Sequence, residues 1–462
     1  MTVGWLAAAV AGRIVAGDPD QTVGNIVTDS RALQNGDFFI ALRGARFDGH
    51  EYVAEAFERG ALGVLVDNVP AGHASTEQQV VIAVSDTTVA LQDLAHAVRE
   101  ATETKVVAIT GSAGKTTTKD TIADFLSESY RVAKNKGNLN NHIGLPLSLM
   151  QLRDRPDVAV MELGMNHTGE ISTLVAIADP DVRVWTNVGD AHLGFFESAE
   201  AIADAKAEIL ERAEAHDVLV CNADDPRVMA RASRFAGRLV SFGEAYGASV
   251  RATDVEDLGL GGMRARVGTP MGERAIETPL LGRGNLANVL AATAVAVEFG
   301  IPLDAIAARA ARLRPSDRRG AVHRLAGGVT LVDDSYNSSP AALKRALDVI
   351  ANEPRAVRKI AVLGEMLELG AFSDELHRST GRAAAAAGLD MLFVVGGEPA
   401  RQLADAAIDA GMDTASVTYF EQSAAAAPVI AAAIRSGDVV LVKGSRGTRT
   451  DVIADRIAEA FG

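Results

Sequence analysis

The sequence predicts an α/β protein built as three successive domains, and three observations carry that prediction. Short apolar strands alternate with Ala-rich helical stretches over most of the 462 residues, a rhythm that builds parallel sheets with helices on both faces. The length is too great for one core and suits about three domains at roughly 150 residues each. A charged stretch bearing Pro, Asp and Gly, LRPSDRRG, breaks the rhythm near residue 317, as a linker does.

The elements follow in order. Residues 1 to about 104 carry a TDSR segment and close in the helix TTVALQDLAHAVRE; residues 105 to about 317 form a second block and 318 to 462 a third. Strands are expected at Lys105–Ile109, Val158–Met161, Val182–Thr186, Val218–Cys221, Val329–Val332, Ile360–Leu363, Leu392–Val395 and Val439–Val442. Helices are expected over Thr117–Tyr130, Ala199–Ala213 and Leu286–Phe299. The Gly-rich piece Arg251–Thr278 reads as antiparallel strands and turns.

Composition narrows the function classes. With 45 basic and 60 acidic residues the net charge is −15, which argues against a nucleic-acid partner, because counterion release needs clustered Lys and Arg. An anionic substrate must then be held by a local pocket. The single cysteine, Cys221 in DVLVC, reads as a buried strand residue; it allows no intrachain disulfide and fits a cytoplasmic protein. The start MTVGWLAAAVAG lacks a basic leader region, and no window approaches the ~20 apolar residues of a membrane span. No membrane insertion is expected.

The stretch AITGSAGKTTTKD, residues 108–120, carries the chemistry. Thr110, Gly111, Ser112, Ala113 and Gly114 follow a strand, and Lys115, Thr116 and Thr117 open a helix whose Ile122, Phe125 and Leu126 share one face. Glycines there let backbone N–H groups approach phosphates, and the helix N-terminus adds positive potential. Lys115 would reach the β and γ phosphates and the Thr116 hydroxyl would ligate Mg²⁺. The loop is the short form GxxGKT, without the leading glycine of GxxxxGKT. Taken alone it indicates ATP or GTP and leaves the reaction open.

Further motifs follow in order: KNKGNLNNHIGLPLSL (134–149), MELGMNHTGEI (161–171), NVGDAHLGFF (187–196), DAKAEIL (204–210), GRGNLANVLAA (282–292), DDSYNSSPAAL (333–343) and VKGSRGTR (442–449). With the short P-loop, this series resembles the Mur ligases, ATP-dependent amide-forming enzymes of peptidoglycan precursor synthesis, over nearly the whole chain. NLNNHIGLP, DDSYNSSP and KGSRG look like the member that adds D-alanyl-D-alanine to UDP-N-acetylmuramoyl-tripeptide. The DNPR motif of the sibling that adds the third residue is missing.

The resemblance implies a central P-loop-type, mostly parallel sheet flanked by an N-terminal α/β domain and a C-terminal Rossmann-like domain. It also implies the reaction: the ATP γ-phosphoryl passes to a carboxylate, the amine attacks the acyl phosphate, and a tetrahedral intermediate expels phosphate. The protein's task is then positioning and charge neutralisation.

The resemblance also assigns residues. Glu162, at the end of the strand VAVMELG, becomes a Mg²⁺ ligand, and His192 contributes to the second metal site. Lys206, which pattern alone would put on a solvated helix face, becomes a carbamate; that needs a neutral amine and a lowered pKa. Asn285 and Asn288, three apart on one helix face, go to adenine, with helix capping the plain alternative for Asn285. Arg319, or its neighbour Arg318, is the phosphate-binding arginine; Asp334 is the ribose-binding aspartate, and Tyr336 packs near the nucleotide.

Ser30, Arg31, Asp48 and His50, with Phe47 and Gly49, are placed at the UDP-sugar end, where an ST-turn or salt bridge is the plain alternative. Asn138, Asn141 and His142, with Asn140, fall near the substrate. Lys443, Ser445 and Arg446 bind the dipeptide carboxylate or phosphates, beside Asn337 and Ser338. Ser339 stands where YNANP has its second Asn. A monomer is expected. The alternatives are a sibling ligase adding a single amino acid, a folylpolyglutamate-type enzyme, or a P-loop NTPase switch.

Overall fold

The computed structural model describes residues 1–44, 46–69, 79–189, 193–354 and 356–462. Its contacts divide the chain into two compact units. Met1–Ala108, Tyr130–Met165 and Gly169–Val182 form the first; Ile109–Ser129, Asn166–Thr168 and Arg183–Gly462 form the second.

In the first unit five strands lie in the order Arg13–Ala16, Val80–Ala83, Gly63–Val66, Phe38–Ile40, Ile26–Val27. Only the first pair is antiparallel. Every residue of Gly63–Val66 is buried, as in parallel strands covered on both faces. The helix Thr87–Glu100 begins where Asp86 accepts from the N–H groups of Thr88 and Val89 at 2.7 and 2.9 Å. Its buried Ala90, Leu91, Leu94, Ala95 and Val98 form one stripe at helical spacing. The strand Val158–Glu162, buried throughout, pairs in parallel with Val132–Lys134 and ends on Glu162.

In the second unit Val218–Asn222 pairs in parallel with Arg238–Gly243, which pairs in parallel with Val250–Asp257. The chain then turns back twice through Met263–Thr269 and Gly272–Thr278, the antiparallel meander expected over 251–278. A separate sheet follows in the order Ala321–Arg324, Thr330–Asp334, Asp438–Lys443, Arg358–Gly364, Met391–Val395, Val417–Phe420. All its pairs but the first are parallel. Side chains alternate between two cores. Val332, Ala361, Leu363, Leu392, Val394 and Leu441 lie in one; Leu331, Ile360, Val362, Phe393, Val440 and Val442 lie in the other. Each Val, Leu, Ile or Phe side chain buried there contributes about 1.5–3 kcal/mol. Asp334, Gly364, Val395, Phe420 and Lys443 end their strands at one edge, where open parallel sheets bind ligands.

Each predicted strand forms within two residues of its expected ends. The helices differ at their termini. The P-loop helix is Lys115–Leu126, ending where the Ser127 hydroxyl donates to the Ala123 carbonyl at 2.6 Å. The helix expected over 199–213 stops at Ala207, tightens into a 3₁₀ turn at Glu208–Leu210, and leaves through Arg212 at φ +55°. The helix expected from Leu286 begins at Gly282 and runs to Glu298.

Candidate functional site

The P-loop is set by close approach. At Gly111 a Cβ would lie 1.9 Å from Thr186 Oγ1; at Gly114, where φ is +82°, it would lie 2.2 Å from Asn288 Oδ1. Neither position tolerates a side chain. The loop is braced by the segment after the strand Val182–Trp185. Asn187 Oδ1 accepts from Ala113 N at 2.9 Å, Asn187 Nδ2 donates to Ala113 O at 3.0 Å, and Thr186 Oγ1 donates to the same carbonyl at 2.8 Å. Ser112 Oγ accepts from Gly189 N at 2.9 Å. Lys115 Nζ donates to Gly111 O at 2.8 Å, so the lysine caps its own loop. Thr110 ends the strand fully buried, while Thr116 and Thr117 are half-buried at the helix start. Asn187 opens the motif NVGDAHLGFF but received no role of its own in the sequence; its position directly after a strand was the available signal.

Asn285 and Asn288 form one amide pair. Asn288 Nδ2 donates to Asn285 Oδ1 at 3.1 Å, Thr118 Oγ1 donates to Asn288 Oδ1 at 3.2 Å, and Asn285 Nδ2 donates to Leu281 O at 2.9 Å. Asn285 lies inside the first turn, and Leu281 holds the cap position. The capping alternative therefore fails, because the helix starts earlier than its apolar run suggests. Asn288 packs on the P-loop itself.

Lys206 is 1 % exposed. Burial, then the charge of Lys115, drive its pKa well below the usual 10.5. Its side chain makes no hydrogen bond or ion pair with any described residue. The solvated-face reading of this helix position is thereby corrected: Ile202, Ala203, Ala205 and Lys206 are all buried. Ser198 caps the helix, accepting from Ala201 N at 3.1 Å. His192 lies outside the described residues.

At the edge of the last sheet, Lys443 Nζ donates to Asp334 Oδ2 at 2.7 Å and to Asn337 O at 3.0 Å. The neighbouring Asp333 serves the fold: it accepts from Ser335 Oγ at 2.5 Å, and burial raises its pKa. The two arginines separate equally clearly. Arg318 Nη2 donates to both carboxylate oxygens of Asp455 at 3.0 Å, whereas the Arg319 guanidinium lies 4.0 Å from the centre of the Tyr336 ring. Exposed Arg446 lies 5.9 Å from the same ring. Ser445 is buried, and its hydroxyl accepts from Leu367 N at 2.9 Å. Ser338 Oγ is buried without a partner among the described residues. Nearby, Glu365, Leu367, Gly396, Glu421, Gly447 and Arg449 line part of a cavity of about 430 Å³.

Within the first unit Glu162 is 4 % exposed. Its carboxylate accepts from Asn140 Nδ2 at 2.8 Å, and its N–H donates to buried Asn135 Oδ1 at 3.1 Å. Asn141 Oδ1 instead accepts from the N–H groups of Ile143 and Gly144 at 3.2 and 2.8 Å, just ahead of the next helix; Asn138 and His142 are exposed, the carbonyl of His142 accepting from Gln92. Asn135 lies in the motif KNKGNLNNHIGLPLSL but received no role, because it stands three residues before the cluster Asn138–His142. Arg31 is bidentate to Asp29 at 2.9 and 2.7 Å and holds that carboxyl at about 2, beside buried Ser30. His50 Nε2 accepts from Asp67 N at 3.1 Å, so Nδ1 carries the proton toward Asp48 Oδ1 at 2.6 Å.

A glycine-framed phosphate loop, an amide pair on its flank and a buried lysine beside its cation define a P-loop α/β protein with an added Rossmann-like sheet. Three family profiles match the chain: the Mur ligase family catalytic domain over residues 22–105, the Mur ligase middle domain over 109–296, and the Mur ligase glutamate ligase domain over 318–446. The UDP-N-acetylmuramoyl-tripeptide--D-alanyl-D-alanine ligases of Bacillus subtilis and Escherichia coli are 34% and 35% identical, over 99% and 95% of this chain and 98% and 95% of their own. A crystal structure of MurF from Acinetobacter baumannii aligns with TM-score 0.89 at 32% identity, over 99% of this chain and 98% of that one. The chain belongs to the Mur ligase family.

Proposed function

We propose that the protein joins D-alanyl-D-alanine to UDP-N-acetylmuramoyl-tripeptide at the expense of ATP, giving the UDP-muramoyl-pentapeptide, ADP and phosphate for peptidoglycan precursor synthesis. The observation that carries this reading is the end-to-end similarity to ligases of that one activity. MurF of Thermotoga maritima, crystallised with ADP, is similar at TM-score 0.83 and 29% identity, over 94% of this chain and 97% of that one.

The residues take the following parts. The loop Thr110–Gly114, braced on Asn187 through the N–H groups of Ser112 and Ala113, and the helix start at Lys115, Thr116 and Thr117 surround the phosphates, and Lys115 swings from the Gly111 carbonyl to the γ-phosphate. Asn285 and Asn288 meet adenine, Asp334 the ribose, Tyr336 the base or sugar, and Arg319 a phosphate. The buried amine of Lys206, favoured in its neutral form, is suited to addition of CO₂, which turns it into a carboxylate-type ligand. With buried Glu162, Thr116 and His192 it supplies donors of the kind Mg²⁺ takes, one or two carboxylates beside substrate phosphates. A Mg²⁺ ion held by these donors would supply neutralisation of phosphate charge.

Residues 1–104 are assigned to the UDP-sugar peptide through Ser30, Arg31, Asp48 and His50, with Asn138, Asn141 and His142 facing its peptide. Residues 105–317 are assigned to ATP and 318–462 to the dipeptide. The cavity beside Ser445 offers carboxylates for the dipeptide ammonium and Arg449 for its carboxylate. Asn337, Ser338, Lys443 and Arg446 stand at the reacting end. Among the described residues no helix is long and apolar enough to cross a membrane, and we assign the enzyme to the cytoplasm as a monomer.

The test is an ADP-release assay. ADP should appear only when both the UDP-muramoyl-tripeptide and D-alanyl-D-alanine are present, with the pentapeptide seen by mass spectrometry. Nucleotide hydrolysis independent of either substrate would indicate a switch NTPase and overturn the proposal.

A further inference from the structure

The helix Pro340–Ala351 carries two cations that no assigned role uses, Lys344 and Arg345, and only Arg345 is placed near the amide pair. Arg345 lies over Gly284, in the first turn of the helix Gly282–Glu298: a Cβ at Gly284 would lie 3.1 Å from Arg345 Nε and 3.2 Å from its Cδ. Asn285 is the next residue along, paired to Asn288, which packs on Gly114 of the P-loop. Arg345 also feels the charge of Asp334. A line therefore runs from Gly114 through Asn288, Asn285 and Gly284 to Arg345 and on toward Asp334. Along it the Arg345 side chain makes no hydrogen bond or ion pair with any described residue. Solvent reaches the side chain, yet the surrounding protein desolvates its guanidinium and lowers its pKa.

A nucleotide with its phosphates on Gly111–Thr117 extends its nucleoside away from them, and the amide pair marks the direction. A purine needs a planar partner for its face, and Tyr336 is already covered by Arg319 at 4.0 Å. A guanidinium is planar, weakly hydrated and stacks on aromatic rings. We propose that Arg345 packs its guanidinium against the purine base of the bound nucleotide, in room left by Gly284. This rests on the nucleotide site proposed above.

The test is calorimetric titration of the full chain with ADP and, separately, with inorganic tripolyphosphate. Arg345→Ala is expected to weaken ADP about tenfold and leave tripolyphosphate unchanged. Arg345→Lys, which keeps the charge without the plane, should recover only part of the affinity and covers the case in which the alanine variant folds poorly. Gly284→Ala, by displacing the guanidinium, should also weaken ADP alone. Equal losses for ADP and tripolyphosphate would mean a phosphate contact and overturn the assignment. Unchanged ADP affinity in the variants, with the parent binding well, overturns Arg345 alone; a parent that binds no ADP sinks the nucleotide site and this assignment together.

Discussion

Lys443 Nζ donates to Asp334 Oδ2 at 2.7 Å across two paired parallel strands whose register sets these residues opposite each other. The lysine side chain is 3% exposed and the aspartate 23%. Two chain segments more than 100 residues apart are thus locked at the sheet edge where ligands bind. Removing one partner leaves a partly buried charge uncompensated. Lys443→Met is therefore expected to cost about 3 kcal/mol, read as a lower urea midpoint. Adding Asp334→Asn should restore part of that loss, because the two sites share one interaction. A single variant melting like the parent would mean the pair contributes nothing.

Gly114 and Asn288 are a second coupled pair. Gly114→Ala forces a side chain into φ +82° and against Asn288 Oδ1. The backbone strain alone costs about 1–2 kcal/mol, and the displaced loop should no longer bind ADP. Asn288→Ala in the same chain removes the obstructing amide. The double variant should melt higher than Gly114→Ala alone, yet still bind ADP poorly. Strict additivity of the two melting shifts would refute the packing argument.

Asn140 orients Glu162 from outside the expected metal shell, donating to its carboxylate at 2.8 Å. Residues in that position typically change metal affinity by about 10–100-fold when removed. Asn140→Ala should raise the Mg²⁺ concentration for half-maximal ligation within that range while activity at saturating Mg²⁺ falls less. An unchanged Mg²⁺ titration would remove Glu162 from the metal's surroundings.

The sequence marked out the parallel sheets because their strands are short unbroken apolar runs, and it marked the phosphate loop because glycine and lysine spacing there is sterically dictated. It also identified the antiparallel meander at 251–278. What escaped was contact across sequence distance. Nothing local separates Asp333 from Asp334, or Arg318 from Arg319; the difference is that Ser335 and Asp455 occupy one member of each pair. Lys206 read as a surface residue because a lysine among alanines carries no sign of what covers it. Arg345 was invisible for the same reason, since its neighbour Gly284 lies about 60 residues upstream.

Lys206 carries the pH dependence. Its folded pKa lies below the unfolded value of 10.5, with burial the main cause and Lys115 the second. The unfolded chain therefore binds more protons, and stability rises with pH. The penalty for burying this amine is fully present below the folded pKa, shrinks as pH rises through the interval up to 10.5, and is gone above it. Lys206→Met keeps the bulk and drops the charge. In bicarbonate-free buffer the variant should melt a few degrees above the parent near neutral pH, with the gap closing as pH approaches 10.5. In ¹³C-bicarbonate the parent should show a carbamate carbon resonance that the variant lacks, and the variant should not ligate. A melting gap independent of pH would show that the amine is not buried in the way its surroundings indicate. A fully active methionine variant would separate this lysine from the chemistry altogether.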